Sequence, residues 1–150
     1  MGLFFLYQLD DISAAANWIL EQTAGCKIIL LEGEMGSGKT TICKALAQLL
    51  GANSELSSPT YSLVNEYPSL QHGSIFHLDL YRLKDTEEAI SIGVEDNLLS
   101  GHYCLIEWPE IIFPLLREIA YVQIKIESKS NEKRKLVLIN SEKQFTQITD

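Results

Sequence analysis

The chain has 150 residues, 46% hydrophobic and 21% charged. That is enough to bury a core and far from a disordered composition, so one soluble domain over residues 1–150 is expected. A formal net charge of −8 repels nucleic-acid phosphates, which excludes strong independent DNA or tRNA binding and leaves any nucleic-acid role indirect. Cys26, Cys43 and Cys104 are odd in number and lack Cys-x-x-Cys or metal-ligand spacing, so they read as small apolar core residues in a reducing, cytoplasmic setting.

In chain order, Met1 to Leu9 is apolar but lacks the basic start and cleavage pattern of a secretory signal, and it reads as a strand. No stretch approaches the ~20 apolar residues needed to cross a bilayer. Asp10, Asp11 and Ser13 offer N-cap oxygens to a helix carrying Ala15, Ile19 and Leu20, and Gly25 ends it. Cys26 to Leu31 is a short apolar run, expected of a strand covered on both faces. A glycine-rich turn follows. From Lys39 to Leu50 the residues Ile42, Ala45, Leu46 and Leu49 recur at helical spacing, with Gly51 as a left-handed cap. Tyr61 to Tyr67 and Ser74 to Tyr81 read as strands joined by a reversal containing Pro68 and Gly73, which makes the sheet mixed. Asp85 and Glu88 form a capping-box-like helix start, and Gly93 and Gly101 bracket a second short helical turn. Tyr103 to Ile106 is a buried strand. Alternation over Tyr121 to Ile126 and around Leu136 to Ile139, with a polar Ser128 to Arg134 turn between, predicts a C-terminal hairpin.

Gly33-Glu34-Met35-Gly36-Ser37-Gly38-Lys39-Thr40 matches Gly-x-x-x-x-Gly-Lys-[Ser/Thr] between a strand and a helix, the context a phosphate-binding loop requires. Glycines let successive N–H groups face inward, the helix N-terminus adds positive potential, and no side chain blocks the phosphate. Lys39 is expected to reach the β- and γ-phosphates of ATP, and Thr40 to offer its hydroxyl to Mg2+. Thr41 caps the helix or touches the α-phosphate. The competing reading is a βα turn that binds nothing.

Hydrolysis also needs an acid to place magnesium and a group to orient water. Glu107 ends the run Cys104-Leu105-Ile106, at the sheet edge where open α/β sheets bind ligands. Asp79 shares a strand face with His77 and Tyr81, so either carboxylate can serve magnesium, although a wet strand face also explains Asp79. Ser57-Ser58-Pro59-Thr60-Tyr61 stands where switch-type loops offer a threonine, and a plain proline turn explains it equally. His72, His77 and His102 have no metal-site spacing; His77 alone could face the nucleotide.

With Leu-Glu-Gly-Glu-Met-Gly-Ser-Gly-Lys-Thr-Thr at 31 to 41, Ser-Pro-Thr-Tyr at 58 to 61, His-Leu-Asp-Leu-Tyr-Arg at 77 to 82 and Ile-Glu-Trp-Pro-Glu at 106 to 110, the chain resembles the TsaE family, bacterial ATPases of tRNA threonylcarbamoyladenosine biosynthesis. The resemblance covers nearly the whole chain. It implies an α/β fold, a P-loop three-layer sandwich with a mixed, partly parallel sheet flanked by helices. It further implies that Thr40 and Glu107 contact magnesium, that Asp79 plays a Walker-B-like or water-ordering part, and that Thr60 sits in a switch-like loop. Glu34, Met35 and Ser37 depart from common family residues without altering the backbone needs of the loop. Nucleotide contacts from Trp108, near the base, and from Arg134 are further expectations. The family members are cytoplasmic, work with TsaD and TsaB, and would leave tRNA to those partners; the free protein is expected to be a monomer. Rival readings are a small-molecule kinase, weakened by having only Arg82, Arg117 and Arg134, and a nucleotide-gated interaction module with little turnover. A GTPase is disfavoured because Asn131-Glu132-Lys133 does not fit a guanine reader.

Overall fold

Period-two alternation within short, wholly apolar strands demands cover on both faces of a sheet. The structure, a computed structural model that describes residues 2–52, 63–130 and 132–140, provides it. The elements run β1 Phe4–Gln8, a 3-10 turn Leu9–Asp11, α1 Ile12–Thr23, β2 Ile28–Gly33, α2 Lys39–Leu49, β3 Val64–Ser69 and β4 Gly73–Asp79. They continue with α3 Thr86–Ser91, α4 Val94–Leu98, β5 Tyr103–Glu107, a 3-10 segment Pro109–Leu116, β6 Val122–Ser130 and β7 Lys133–Asn140. The strands form one seven-stranded sheet in the order β1-β7-β6-β2-β5-β4-β3. Its centre, β6-β2-β5-β4, is parallel, and antiparallel partners close both sides, β7 and β1 on one and β3 on the other. The architecture is the expected α/β sandwich on a mixed sheet.

Ile29 and Leu31 of β2 point into a core shared with Ala15, Ala16 and Ile19 of α1 and Ile42, Cys43 and Leu46 of α2. Ile28 and Leu30 point the other way, onto Ala89 and Val94 of α3 and α4 and Ile112 and Leu116 of the 3-10 segment. The same parity runs through β4 and β5: Ile75 and Leu105 face α2, while Leu78, Cys104 and Ile106 face the second core. This fixes which side chains arrive beside the phosphate loop.

Several boundaries differ from the sequence reading for identifiable reasons. At the start of α1 no side chain caps the helix; Asp10 and Asp11 lie in the 3-10 turn that leads into it. Its end is a left-handed pair, Ala24 (φ 49°) and Gly25 (φ 89°). The α3 cap is as read, with the Glu88 N–H donating to Asp85 Oδ1 at 2.9 Å, but Glu88 Oε1 reaches one residue further back, to the Lys84 N–H at 2.6 Å. Pro68 lies inside β3 rather than in the reversal, which an edge strand tolerates. The predicted start of β3, Tyr61, lies outside the described residues. β6 and β7 run well into the predicted polar turn. The 3-10 segment carries no sequence expectation, since Pro109 and Pro114 hide it; proline removes an N–H donor and suits the short i to i+3 pattern better than an α-helix.

Candidate functional site

The site forms where the C-terminal ends of β2, β4 and β5 meet the N-terminus of α2, the crevice where open parallel sheets bind ligands. Asp79 and Glu107 are register partners across β4 and β5, and Leu31 lies opposite Glu107 on β2. Glu107 follows Tyr103 and Leu105 on the α2-facing side of β5, so its side chain comes out under the first turn of α2. There its two carboxylate oxygens accept from the Thr40 hydroxyl at 3.0 and 2.9 Å. His77, register partner of Leu105 on the same face, sets its Nε2 at 2.6 Å from Glu107 Oε2, and its Nδ1 lies 3.4 Å from the Tyr67 hydroxyl. A carboxylate accepts, so Nε2–H donates to Glu107 and Nδ1 is left to accept from Tyr67. Both His77 and Glu107 are buried. A buried carboxylate held by two donors from two other elements has its position fixed before any ligand arrives.

In the loop, Gly36 (φ 79°) and Gly38 (φ 105°) take left-handed conformations, and a Cβ at either would meet nothing within 4 Å. Glycine is needed there for the backbone turn, and the space above stays open to a ligand. Gly33 is different, because a Cβ there would stand 2.6 Å from Ser37 Oγ and 2.9 Å from the Ile126 carbonyl oxygen. Lys39 donates to the Gly33 and Glu34 carbonyls at 2.5 and 2.9 Å, and its ammonium sits 4.1 Å from the Trp108 ring centroid. Burial lowers the Lys39 pKa, against the opposing pull of Glu107, Asp79 and Glu110. The ammonium is thus partly desolvated beside a group of acids.

A cavity of about 330 Å3 opens above these groups, lined by Met35, Gly36, Gly38, Lys39, Thr40 and Thr41 on the loop side. Asp79, Tyr81, Glu107 and Trp108 line the opposite wall. Trp108 holds a left-handed backbone (φ 55°), rare for a bulky residue, and its ring packs 4.9 Å from that of Tyr81. That kink turns the chain from β5 into the 3-10 segment and leaves the indole on the cavity wall. Asp79 is half-buried and accepts from the Tyr81 N–H at 3.2 Å. Ser37 Oγ is buried with no hydrogen-bond partner among the described residues.

The structure therefore brings together around the cavity all the sequence-predicted site residues but five. Gly33, Glu34 and Ser37 build the loop without lining the cavity. Arg134, on β7, reaches the loop rather than the cavity, donating from Nε to the Ser37 carbonyl at 3.3 Å. Thr60, with the rest of Ser57 to Tyr61, lies outside the described residues. His72 and His102 pack against Tyr103 and Phe76, as structural side chains do. What the sequence reading missed is Cys43: one turn along α2 from Thr40, its thiol lies with His77 and Glu107 in a buried group whose ligand atoms are all within 4.8 Å of one another. Burial, helped by the charges of Glu107 and Asp79, raises the Cys43 pKa well above that of a free thiol. Only the parity of β4 and β5 combined with the phase of α2 would have shown this juxtaposition.

The oxygen donors Thr40, Glu107 and Asp79 are hard ligands of the kind magnesium takes. An open cavity, two left-handed glycines and a helix N-terminus suit a phosphate chain. The residues present therefore fit both groups.

The family model described as "Threonylcarbamoyl adenosine biosynthesis protein TsaE" matches residues 6–136. The chain belongs to the TsaE family. Among its relatives, the tRNA threonylcarbamoyladenosine biosynthesis protein TsaE of Rickettsia conorii is 38% identical over 139 residues, 92% of this chain and 78% of the relative. The protein of the same name from Rickettsia bellii is 40% identical over 108 residues, 71% of this chain and 73% of the relative. A crystal structure of Bacillus subtilis YdiB superposes with a TM-score of 0.67 over 99% of this chain and 94% of that one, at 21% identity; at that identity the likeness speaks to the fold. The span matched by the family model takes in the loop, both carboxylates, His77, Trp108 and Arg134. No helix among the described residues is long and apolar enough to cross a membrane.

Proposed function

We propose that the protein binds Mg-ATP in this cavity and hydrolyses it in the service of tRNA threonylcarbamoyladenosine biosynthesis, in the cytoplasm and with TsaD and TsaB as partners. The observation that carries the reading is the Thr40 hydroxyl resting on a buried Glu107 carboxylate at the α2 N-terminus, next to Lys39. These are the groups that would hold magnesium, and Asp79 at the same sheet edge is the remaining acid. Magnesium, when bound, supplies charge neutralisation at the β- and γ-phosphates.

The loop N–H groups and the α2 N-terminus bind the phosphate chain. Lys39 exchanges the Gly33 and Glu34 carbonyls for phosphate oxygens. His77 and Tyr67 keep Glu107 oriented, and Asp79, less buried and free of Thr40, is placed to order the attacking water. Trp108 and Tyr81 wall the cavity and exclude bulk water. Among the described residues no arginine lines the cavity, and arginines stabilise charge on a transferring phosphoryl group. Turnover by the chain alone is therefore slow and rises when partners complete the site. The same scarcity weighs against a small-molecule kinase, and tRNA is engaged through the partners, in keeping with the net charge of −8.

Steady-state ATP turnover by the purified protein, alone and with TsaD, TsaB and tRNA, tests the reading, with Lys39→Ala as the blank. Turnover that rises with the partners and vanishes in the variant supports it. Nucleotide binding without hydrolysis in every mixture would leave a nucleotide-gated interaction module.

A further inference from the structure

We propose that Cys43, His77 and Glu107 form a second cation site, for a zinc-class transition ion, and that filling it withdraws Glu107 from Thr40 and shuts the nucleotide site. The Cys43 thiol, a His77 ring nitrogen and a Glu107 carboxylate oxygen are all within 4.8 Å of one another and all three residues are buried. Bond lengths of about 2.3 Å to sulfur and about 2.0 Å to nitrogen or oxygen put the donor atoms of a tetrahedral zinc site roughly 3.3 to 3.8 Å apart. The cluster needs only a small adjustment of side chains anchored on α2, β4 and β5.

The chemistry separates this site from the magnesium site even though Glu107 belongs to both. Magnesium takes oxygen and rejects sulfur, whereas zinc favours a Cys, His and carboxylate set with a fourth position open. Thr40 serves the hard ion; Cys43 and His77 serve the borderline-soft one. Binding releases the thiol proton, and the resulting thiolate and carboxylate balance a divalent charge in a buried place. The other side of the imidazole has a partner for the tautomer that binding requires: with Nε2 on the metal the ring proton moves to Nδ1, which donates to the Tyr67 hydroxyl 3.4 Å away, the outer contact that orients a ligating histidine. The Glu107 carboxylate lines the cavity, which provides the path of entry. Metal binding itself is independent of the hydrolase reading; inhibition by it rests on that reading.

Cobalt(II), a spectroscopic stand-in for zinc, is titrated into the full-length protein without nucleotide. A thiolate-to-cobalt charge-transfer band saturating at one equivalent is expected. It should disappear in Cys43→Ser and Cys43→Ala and persist in Cys26→Ser and Cys104→Ser, whose thiols lie elsewhere in the two cores. The zinc dissociation constant, from chelator competition, should rise at least ~10-fold in each Cys43 variant and in His77→Gln, with circular dichroism confirming that each is folded. No thiolate band, or one that survives both Cys43 substitutions, overturns the site. Zinc should also inhibit ATP turnover in excess magnesium, at a concentration at least ~10-fold higher in Cys43→Ser. A Cys43-dependent band in a protein that never hydrolyses ATP keeps the metal site and removes the hydrolase reading; turnover without the band does the reverse.

Discussion

Glu107 is buried, and Thr40 and His77 both hold its carboxylate. Glu107→Gln keeps the volume and one accepting oxygen but loses the charge that would hold magnesium. ATP turnover should fall by about 10- to 100-fold, while magnesium-free nucleotide binding, read from Trp108 fluorescence, should change little. Parallel loss of both would mean that the carboxylate supports the loop rather than the metal. Tyr7 presents the opposite case, a buried side chain whose hydroxyl has no partner among the described residues. A buried unpaired hydroxyl costs about 1 to 3 kcal/mol, so Tyr7→Phe should be neutral to stabilising at pH 7 by up to about that amount in urea denaturation. Burial also raises the Tyr7 pKa from 10.0 to about 12. The folded state then holds its proton after the unfolded chain has lost it. The contribution is full below pH 10 and is lost as pH rises toward 12. The phenylalanine variant should show a shallower alkaline loss of stability, and an identical one would remove Tyr7 as its source.

At the scale of elements, the phosphate loop is held by two different glycine constraints. A methyl group at Gly33 would collide with the Ile126 backbone of β6 at 2.9 Å, and strands in a packed sheet do not give way cheaply, so Gly33→Ala should cost about 1 to 3 kcal/mol. At Gly36 the space is open but φ is 79°, and an L-residue there pays only the left-handed penalty of about 1 to 2 kcal/mol. Gly36→Ala should therefore weaken nucleotide binding more than it weakens the fold, whereas Gly33→Ala should do the reverse. Thermal unfolding and nucleotide titration of the two variants separate these effects. This division explains how much of the site was legible in the sequence. The loop, the α2 phase and the exit of Glu107 from β5 are local patterns, and each is found where the spacing puts it. The positions of His77 and Cys43 around Glu107 depend on the order of β4 and β5 in the sheet, which no local spacing encodes. Arg134 reaches the Ser37 carbonyl only because β7 closes back over β6, so its tie to the loop backbone is likewise a product of topology. The 3-10 segment was hidden because prolines at Pro109 and Pro114 read as breaks, while its apolar Ile112 and Leu116 are what cover the second core.

At the scale of the whole molecule, the two cores are divided by one sheet and report on each other through three free, buried thiols. Cys26 and Cys43 lie in the core under α1 and α2, and Cys104 lies in the core under α3 and α4. Burial raises the pKa of each, so the native protein has little thiolate to offer a labelling reagent, and reaction requires opening. The candidate site draws its groups from α2, which packs in one core, and from β2, β4 and β5, strands that contribute to both, so a ligand there should hold both layers closed. A ligand at 100 times its dissociation constant stabilises the folded state by about 2.7 kcal/mol, which lowers the open population by about 100-fold. Site-resolved labelling with and without Mg-ATP should therefore show all three cysteines slowed together, by about that factor. If Cys104 alone kept its rate, the layer formed by α3, α4 and the 3-10 segment would be opening independently of the nucleotide site. Glu107 would then be fixed by α2 and β4, with no contribution from the layer on the far face of the sheet.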